Sequence, residues 1–492
     1  MYAGGGSTHA GVSATGPSSS SAASAGASSA PGSSAAAGGS GASHAFSNAL
    51  AEANDLDALV FEFGTSRCKL GFAGEDFPRV FESALPLSGG DEGDAARRAA
   101  RLELDAEQQA QWLFDAAAAR LHTRVSDHPL LLVERPFALP DEVAPLADAH
   151  DESAALAAAA AASSSSSVSS KKQHLKMREQ MVEVLMEQLG SPALFCAKSA
   201  VLTCYANART SGLVVEMGAT YTSVTSVHEG YAFASPKSQV HVFGGFDLDA
   251  YLRAKLAPQL AAASGAGATS AAAEIARRTP ASWSYAVEAK ESGLCRVADS
   301  AFDEAQNAQL PMINYELPDK TVVAMGTERF SVPEQYFVSA APSSSGPDAP
   351  VAVVKEFEGE QLRAARKRGI ALPEFVCEVG GMTTEAELRK ELFQNVVLTG
   401  GSSCFENLPT RLEREVVNAL GSYQLPLSSG GAGGFLGGNL RVKVVAAHAS
   451  ERKIGAFLGG SILASLGSFH EMWMSKAEYA EHGATLIHKK CP

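Results

Sequence analysis

Two short stretches of this 492-residue chain share one plan, and that plan restricts its possible folds more than any bulk property does. In "DLDALVFEFGTSRCKLGFAG" (55–74) an apolar run ends at Glu62, turns through "FGTS" and continues into "CKLGFAG". In "TSGLVVEMGATYTSVTSVHEGYAF" (210–233) an apolar run reaches Glu216, turns at "GAT" and continues as "YTSVTSVHEG". Each reads as strand, acid, glycine, small residues, strand. Glycine and small residues let the backbone N–H groups of such a turn approach an anion closely. A single copy is an ordinary turn signal. Two copies about 150 residues apart are more specific. Facing each other, they can clamp a polyphosphate from both sides, each carboxylate addressing a metal-bound water. The second copy is chemically thinner, because Ala219, three residues after Glu216, can do no chemistry.

Three other segments carry pattern. "SPALFCAKSAVLTCYANARTSG" (191–212) is apolar at helical spacing and ends in turn residues, which predicts a helix. "NVVLTGGSSCFENLPTRLEREV" (395–416) predicts a buried strand, a Gly-Gly turn and a helix. A Gly-Gly after a strand lets a flat ring or a phosphate lie against the backbone, although alone it also fits a plain turn. "ERKIGAFLGGSILASLGSFHEMWMSKAEYAEHG" (451–483) places Ile462, Leu463, Leu466, Phe469 and Met472 at helical spacing. That pattern fits a core helix or a partly exposed groove in which partner helices dock.

Much of the length is not core-forming. Residues 1–45 are nearly all Ser, Ala and Gly, a composition that buries too little apolar surface to offset chain entropy. The bias returns at 153–170, 261–273, 341–350 and 428–438. These stretches read as surface insertions or linkers in a folded core of ordinary size; alanine's helix propensity leaves a helical reading open for the 153–170 tract. A net charge of -14 and a pI near 5.4 argue against nonspecific attraction to nucleic acid. The seven cysteines are scattered, without a C-x-x-C pair, as in a reduced intracellular chain with no zinc module or disulfide framework. No Lys or Arg precedes Arg67, which argues against a signal or transit peptide, and no apolar stretch reaches transmembrane length. "RAARKRG" (363–369) reads as a solvated helix face.

Taken in order, these segments resemble the actin family of the actin/sugar-kinase/heat-shock ATPase superfamily. "FGTSRCKLGFAGEDFPRVF" resembles its first phosphate loop and "YANARTSGLVVEMGATYTSV" its second. "YELPDKTVVAMGTERFSVPEQYF" (315–337), "ELRKELFQNVVLTGG" (387–401) and the C-terminal block extend the likeness over most of 56–492. "GED", "GAT", "AKSAVLT", "AKESGLCRVADSAFDEAQ", "SLGSF" and the terminal "KKCP" are most similar to the nuclear actin-related protein 4 group (actin-like protein 6).

The resemblance implies an α/β, two-lobed actin-like fold with a nucleotide cleft between the lobes. The expected division is a tail at 1–50, lobe I at 51–212 with an insertion about 141–170, lobe II at 213–453 with insertions about 258–273, 341–350 and 428–438, and a return to lobe I at 454–492. It also implies ATP or ADP, with Mg, enclosed by Gly64, Thr65, Ser66, Lys69, Gly218, Gly245, Lys290, Glu291, Gly400, Gly401, Ser402 and Lys453. Glu62 and Glu216 fall where the family has metal-addressing Asp, Ser199 where a Gln orients the attacking water, and Ala219 where a second Asp stands. These departures predict impaired hydrolysis: Asp to Glu adds roughly 1.5 Å of reach, and Ser199 is too short to hold an attacking water as an amide would. The expected role is that of a non-polymerising scaffold subunit in nuclear chromatin-remodelling or histone-acetyltransferase complexes. Its implied partners are an actin monomer, the long helix of a remodelling ATPase, other complex subunits and histones. The implied docking groove contains Tyr205, Ile462, Leu463, Leu466 and Met472. The segment 84–121 is short for the family's outer subdomain and carries no recognisable filament-inserting loop. A divergent cytoskeletal actin-related protein and an active ATPase or kinase of the superfamily are the alternatives.

Overall fold

Leu59–Glu62 (β1) and Cys68–Phe72 (β2) pair antiparallel, with Leu59 opposite Phe72 and Glu62 opposite Lys69. This first hairpin seeds one of two similar sheets in the computed structural model, which describes residues 57–82, 105–135, 175–241, 243–263, 280–338, 371–422 and 440–491. Val80–Glu82 (β3) adds to the outer side of β2, while Leu130–Glu134 (β4) and Ala193–Lys198 (β5) continue parallel from β1. Leu59, Val60, Phe61, Leu130, Leu131 and Leu194 are wholly buried, as expected of parallel strands covered on both faces. A helix at Ala106–Ala116 (α1) is held at its start by a reciprocal capping box between Asp105 and Gln108, and buries Ala110 and Leu113.

The chain leaves this sheet through Ser199–Ala206 (α2) and repeats the scheme. Gly212–Met217 (β6) and Thr222–His228 (β7) form the second hairpin, with Glu216 opposite Ser223. Tyr231–Ala232 (β8) and Ser238–His241 (β9) both pair with β7. Helices at Gly245–Ala263 (α3) and Pro280–Glu291 (α4) follow, then a two-stranded sheet of Ile313–Glu316 (β10) and Val322–Met325 (β11). After Leu372–Gly381 (α5), Val396–Thr399 (β12) pairs parallel with β6, and Val444–Val445 (β13) with β12. Leu408–Ser422 (α6) lies between β12 and β13 in the chain.

Gly455–Ala464 (α7) then returns to the first lobe, and Met474–Ser475 (β14) closes the first sheet beside β5. The two connecting helices meet at a glycine, since a Cβ on Gly459 would stand 1.8 Å from the Leu202 carbonyl oxygen, and Gly460 lets α7 approach the first sheet, where a Cβ would lie 2.9 Å from Val60 of β1. The waist between the lobes therefore has helix against helix with no side chain between them at this crossing. This is the α/β, two-lobed actin-like architecture expected from the sequence.

Two expectations are corrected. The stretch 191–212 is a strand followed by a helix, not one helix, because β5 is inserted between β4 and β14 and is buried on both faces. Such a strand loses the alternation that would distinguish it from a buried helix. The apolar spacing at 462–472 does not lie on one helix: α7 stops at Ala464, and a 3₁₀ segment spans Gly467–Met472. Of the tract expected at about 258–273, the first residues belong to α3, which continues through Pro258 to Ala263 and buries Leu260 and Ala261, and the rest lies outside the described residues. The tracts at 1–45, 153–170, 341–350 and 428–438, and residues 83–104 of the shortened outer segment, lie outside the described residues.

Candidate functional site: a cleft between two acid-bearing hairpins

Hydrogen bonds tie the β6–β7 turn to the start of α3 and to the turn after β12. Gly218 N–H donates to the Tyr221 carbonyl (2.9 Å) and tightens the β6–β7 turn. The start of α3 is stitched onto that turn, with Gly245 N–H donating to Gly218 O (3.0 Å) and Phe246 N–H to Ala219 O (2.7 Å). Ser402 Oγ donates to the same Gly218 carbonyl (2.9 Å), bringing in the turn after β12. On the opposite side, the β1–β2 turn is so tight that a Cβ on Gly64 would lie 2.3 Å from Arg67 O. Gly400 has φ +95° and leaves no room for a side chain against Met217, whereas a Cβ on Gly401 would meet no protein atom within 4 Å. The first glycine serves the turn. The second leaves space.

These turns enclose a cavity of about 320 Å³ between the lobes, within the range of small-molecule sites. Every residue expected to touch nucleotide, metal or water lines it: Glu62, Gly64, Thr65, Ser66 and Lys69; Ser199, Glu216, Gly218 and Ala219; Gly245, Lys290 and Glu291; and Gly400, Gly401, Ser402 and Lys453.

The electrostatics are more committed than sequence reasoning anticipated. Lys69 Nζ forms an ion pair with one oxygen of Glu62, and the other oxygen is buried with no partner among the described residues. Ser199 Oγ donates to Glu216 at 2.9 Å. Burial, and then the nearby charge of Glu62, push the Glu216 carboxyl up to about 7, and the Ser199 hydrogen bond only partly counteracts them. Lys290 Nζ is held by Asp249 at 2.6 Å and donates to the Gly245 carbonyl at 3.0 Å. Arg67 reaches across the cleft to Glu291 at 3.1 Å. Beside the cleft, Glu134 receives Arg178 (2.6 Å) and Lys198 (2.9 Å). Burial opposes the charge on Glu134, yet these two cations hold its carboxyl below the usual range.

Among the described residues no cluster of three or more His, Cys, Asp or Glu side chains could hold a metal ion by itself. The orphaned Glu62 oxygen beside Glu216 fits a different arrangement, in which a hydrated Mg²⁺ brought by a nucleotide is addressed through its waters. Open space over Gly401, close-set glycines and converging turns likewise fit a flat ring followed by phosphates.

The family model described as Actin matches residues 53–492. The chain belongs to the actin family. It is 30% identical over 472 residues to proteins named actin-related protein 4 from Oryza sativa subsp. indica and subsp. japonica, covering 89% of this chain and 99% of each relative. It is 28% identical over 467 residues to the Arabidopsis thaliana protein of the same name, again covering 89% and 99%. The chain is thus an actin-related protein over most of its length.

Sequence reasoning missed several cleft residues: Arg67, Glu134, Arg135, Tyr221, Asp249 and Phe405 also line or flank the cavity. Glu134 ends an apolar strand as Glu62 does, and that signal could have found it. Asp249 is buried on α3, and only its pairing with Lys290 reveals it.

The expected docking residues lie apart from this cleft. Ile462, Leu466 and Met472 are exposed by 40%, 48% and 48%, while Leu463 and Tyr205 are half-buried against the core of the first lobe. Phe469 is buried, with its ring 4.7 Å from that of Phe195.

Proposed function

We propose that this actin-family chain is a non-polymerising scaffold subunit of nuclear chromatin-remodelling or histone-acetyltransferase complexes, and that it binds ATP or ADP, with Mg, while hydrolysing it slowly or not at all. One observation carries the second half of this reading. Ser199, at the position expected to orient an attacking water, spends its hydroxyl on Glu216, and Ala219 opposite has nothing to offer. Loss of one orienting group alone costs orders of magnitude in rate. Binding draws on groups that persist: the turn N–H groups, the glycine-lined space and Lys453. Phosphate release from the purified monomer with Mg-ATP tests this, and turnover as fast as that of a polymerising actin would overturn it.

The scaffold half is supported by the likeness to proteins named actin-related protein 4 and by exposed apolar side chains at Ile462, Leu466 and Met472. A helix docked there would bury those side chains, each worth about 1.5–3 kcal/mol when well buried. Partners on this reading are an actin monomer and the long helix of a remodelling ATPase. Leu466→Asp and Met472→Lys, made separately, should keep the fold and abolish capture of that helix. Purification from nuclei should recover chromatin-complex subunits, and sedimentation with magnesium and salt should give no filaments. Wild-type capture by both folded variants would remove this surface from the reading.

A further inference from the structure

One cation in the cleft has no part in the arrangement described so far. Arg135 follows directly on β4, from the same strand end as Glu134, and lines the cavity. The other cations there are mostly committed: Arg67 to Glu291, Lys69 to Glu62, Lys290 to Asp249, and Arg452 to the Ser403 carbonyl. Arg135 and Lys453 alone among the described lining cations make no side-chain hydrogen bond or ion pair with a described residue. They lie in different parts of the cavity. Lys453 follows Arg452, whose carbonyl accepts the Gly400 N–H in the turn after β12 (2.9 Å), whereas Arg135 follows β4, which runs beside β1 with Val133 opposite Glu62.

Arg135 is not there as the counter-ion of the two acids. Glu62 takes Lys69 and Glu216 takes Ser199, and no ion pair within 4.0 Å joins Arg135 to either. The end of the cleft at the two acids therefore contains the mutually neutralised Lys69–Glu62 pair, Glu216 and one guanidinium left over. With that pair self-neutralised and Glu216 beside it, an anion arriving there finds no attracting charge except a free cation. A guanidinium suits phosphate better than an ammonium does, since its planar fork gives two parallel N–H donors to two oxygens. On the nucleotide reading, a flat ring over the open face of Gly401 and phosphates between the hairpins direct the terminal phosphate toward the two acids, where β4 ends beside Glu62.

We propose that Arg135 binds the terminal phosphate of a nucleoside triphosphate, so that the cleft selects triphosphate over diphosphate. This assignment rests on the nucleotide reading above. Arg135 is a specificity residue with no place in bond breaking.

The test is titration of the purified full chain with Mg-ADP and with a non-hydrolysable Mg-ATP analogue, for wild type, Arg135→Ala, Arg135→Gln and Arg135→Lys. Wild type should prefer the triphosphate by about tenfold, as one charge-assisted contact allows. Arg135→Ala and Arg135→Gln should lose that preference with diphosphate affinity unchanged, which also shows that the variants are folded. Arg135→Lys should retain part of it. Equal affinity of wild type for the two nucleotides, equal losses for both in the folded variants, or no loss in either would overturn the assignment. Binding of neither nucleotide by wild type would instead remove the nucleotide reading, and this assignment with it.

Discussion

The two hairpins that form the cleft share a backbone plan and differ in what faces the acid. Across the first, register sets Lys69 opposite Glu62, and the two form an ion pair with little solvent exposure. Across the second, Ser223 stands opposite Glu216, and the acid is met instead by a hydroxyl from the start of α2. One acid thus has a neighbouring cation supplied by its own hairpin, while the other has a neutral hydroxyl and is buried beside the charge of its twin. Both open onto the same cavity, so the asymmetry lies in chemistry and not in access. Similar folding of two strand pairs does not bring similar electrostatics. A single side chain on the facing strand decides it.

The largest expected effect comes from breaking the pair that the second hairpin lacks. Lys69→Ala would leave Glu62 buried without its cation, and removing one member of a buried pair costs roughly 3–5 kcal/mol. Urea unfolding at pH 7.5 measures it. Lys69→Met combined with Glu62→Gln should recover much of the loss, and a negligible effect of Lys69→Ala would show the pair to be solvated.

Next in size is the proton on Glu216. Its carboxyl is raised from 4.5 to about 7 in the fold, so the folded state holds a proton that the unfolded chain releases at lower pH. The stabilisation is complete below the ordinary carboxylate range and is lost as pH rises through about 7. Relative to Glu216→Gln, wild type should weaken by up to about 3 kcal/mol between pH 4.5 and pH 8, less where water in the cavity screens the group. Nucleotide-free protein in chelator, unfolded by urea across that range, gives the comparison. Parallel stability curves for the two proteins would contradict it.

Ser199→Ala should have a smaller effect, about 1 kcal/mol at neutral pH. Because the Ser199 hydrogen bond pulls the Glu216 carboxyl down, its removal moves the pH-dependent loss of stability to higher pH. A shift to lower pH would show that the hydroxyl favours the protonated acid. The least effect belongs to the cross-cleft pair. Arg67 and Glu291 are more than a third exposed, so Arg67→Ala should change stability by less than about 1 kcal/mol, with the difference fading in high salt.

Both hairpins were legible because each is written in consecutive residues, where strand, acid, glycine and strand need no distant partner. The strand, Gly-Gly turn and helix at 395–416 were legible for the same reason, whereas Gly245, Lys290, Glu291 and Lys453 were reached only through the family resemblance. Ser199 was found on a segment read as wholly helical; the segment opens with β5, and its residue opens α2. Burial on both faces had erased the periodicity that separates strand from helix. Ion-pair choices were likewise invisible. Arg67 and Glu291 stand 224 residues apart, and nothing in either segment names the other. The commitment of Lys69 and Lys290, and the freedom of Arg135, follow from which side chains the two lobes bring together. Along the 462–472 stretch the sequence supplied apolar residues, and folding sorted them: Phe469 went inside against Phe195, while Leu466 and Met472 were left facing solvent. Local order along the chain determined the elements and their turns. Which charges are neutralised and which apolar groups are covered was decided only in three dimensions, because both depend on contacts between residues that the chain itself keeps far apart.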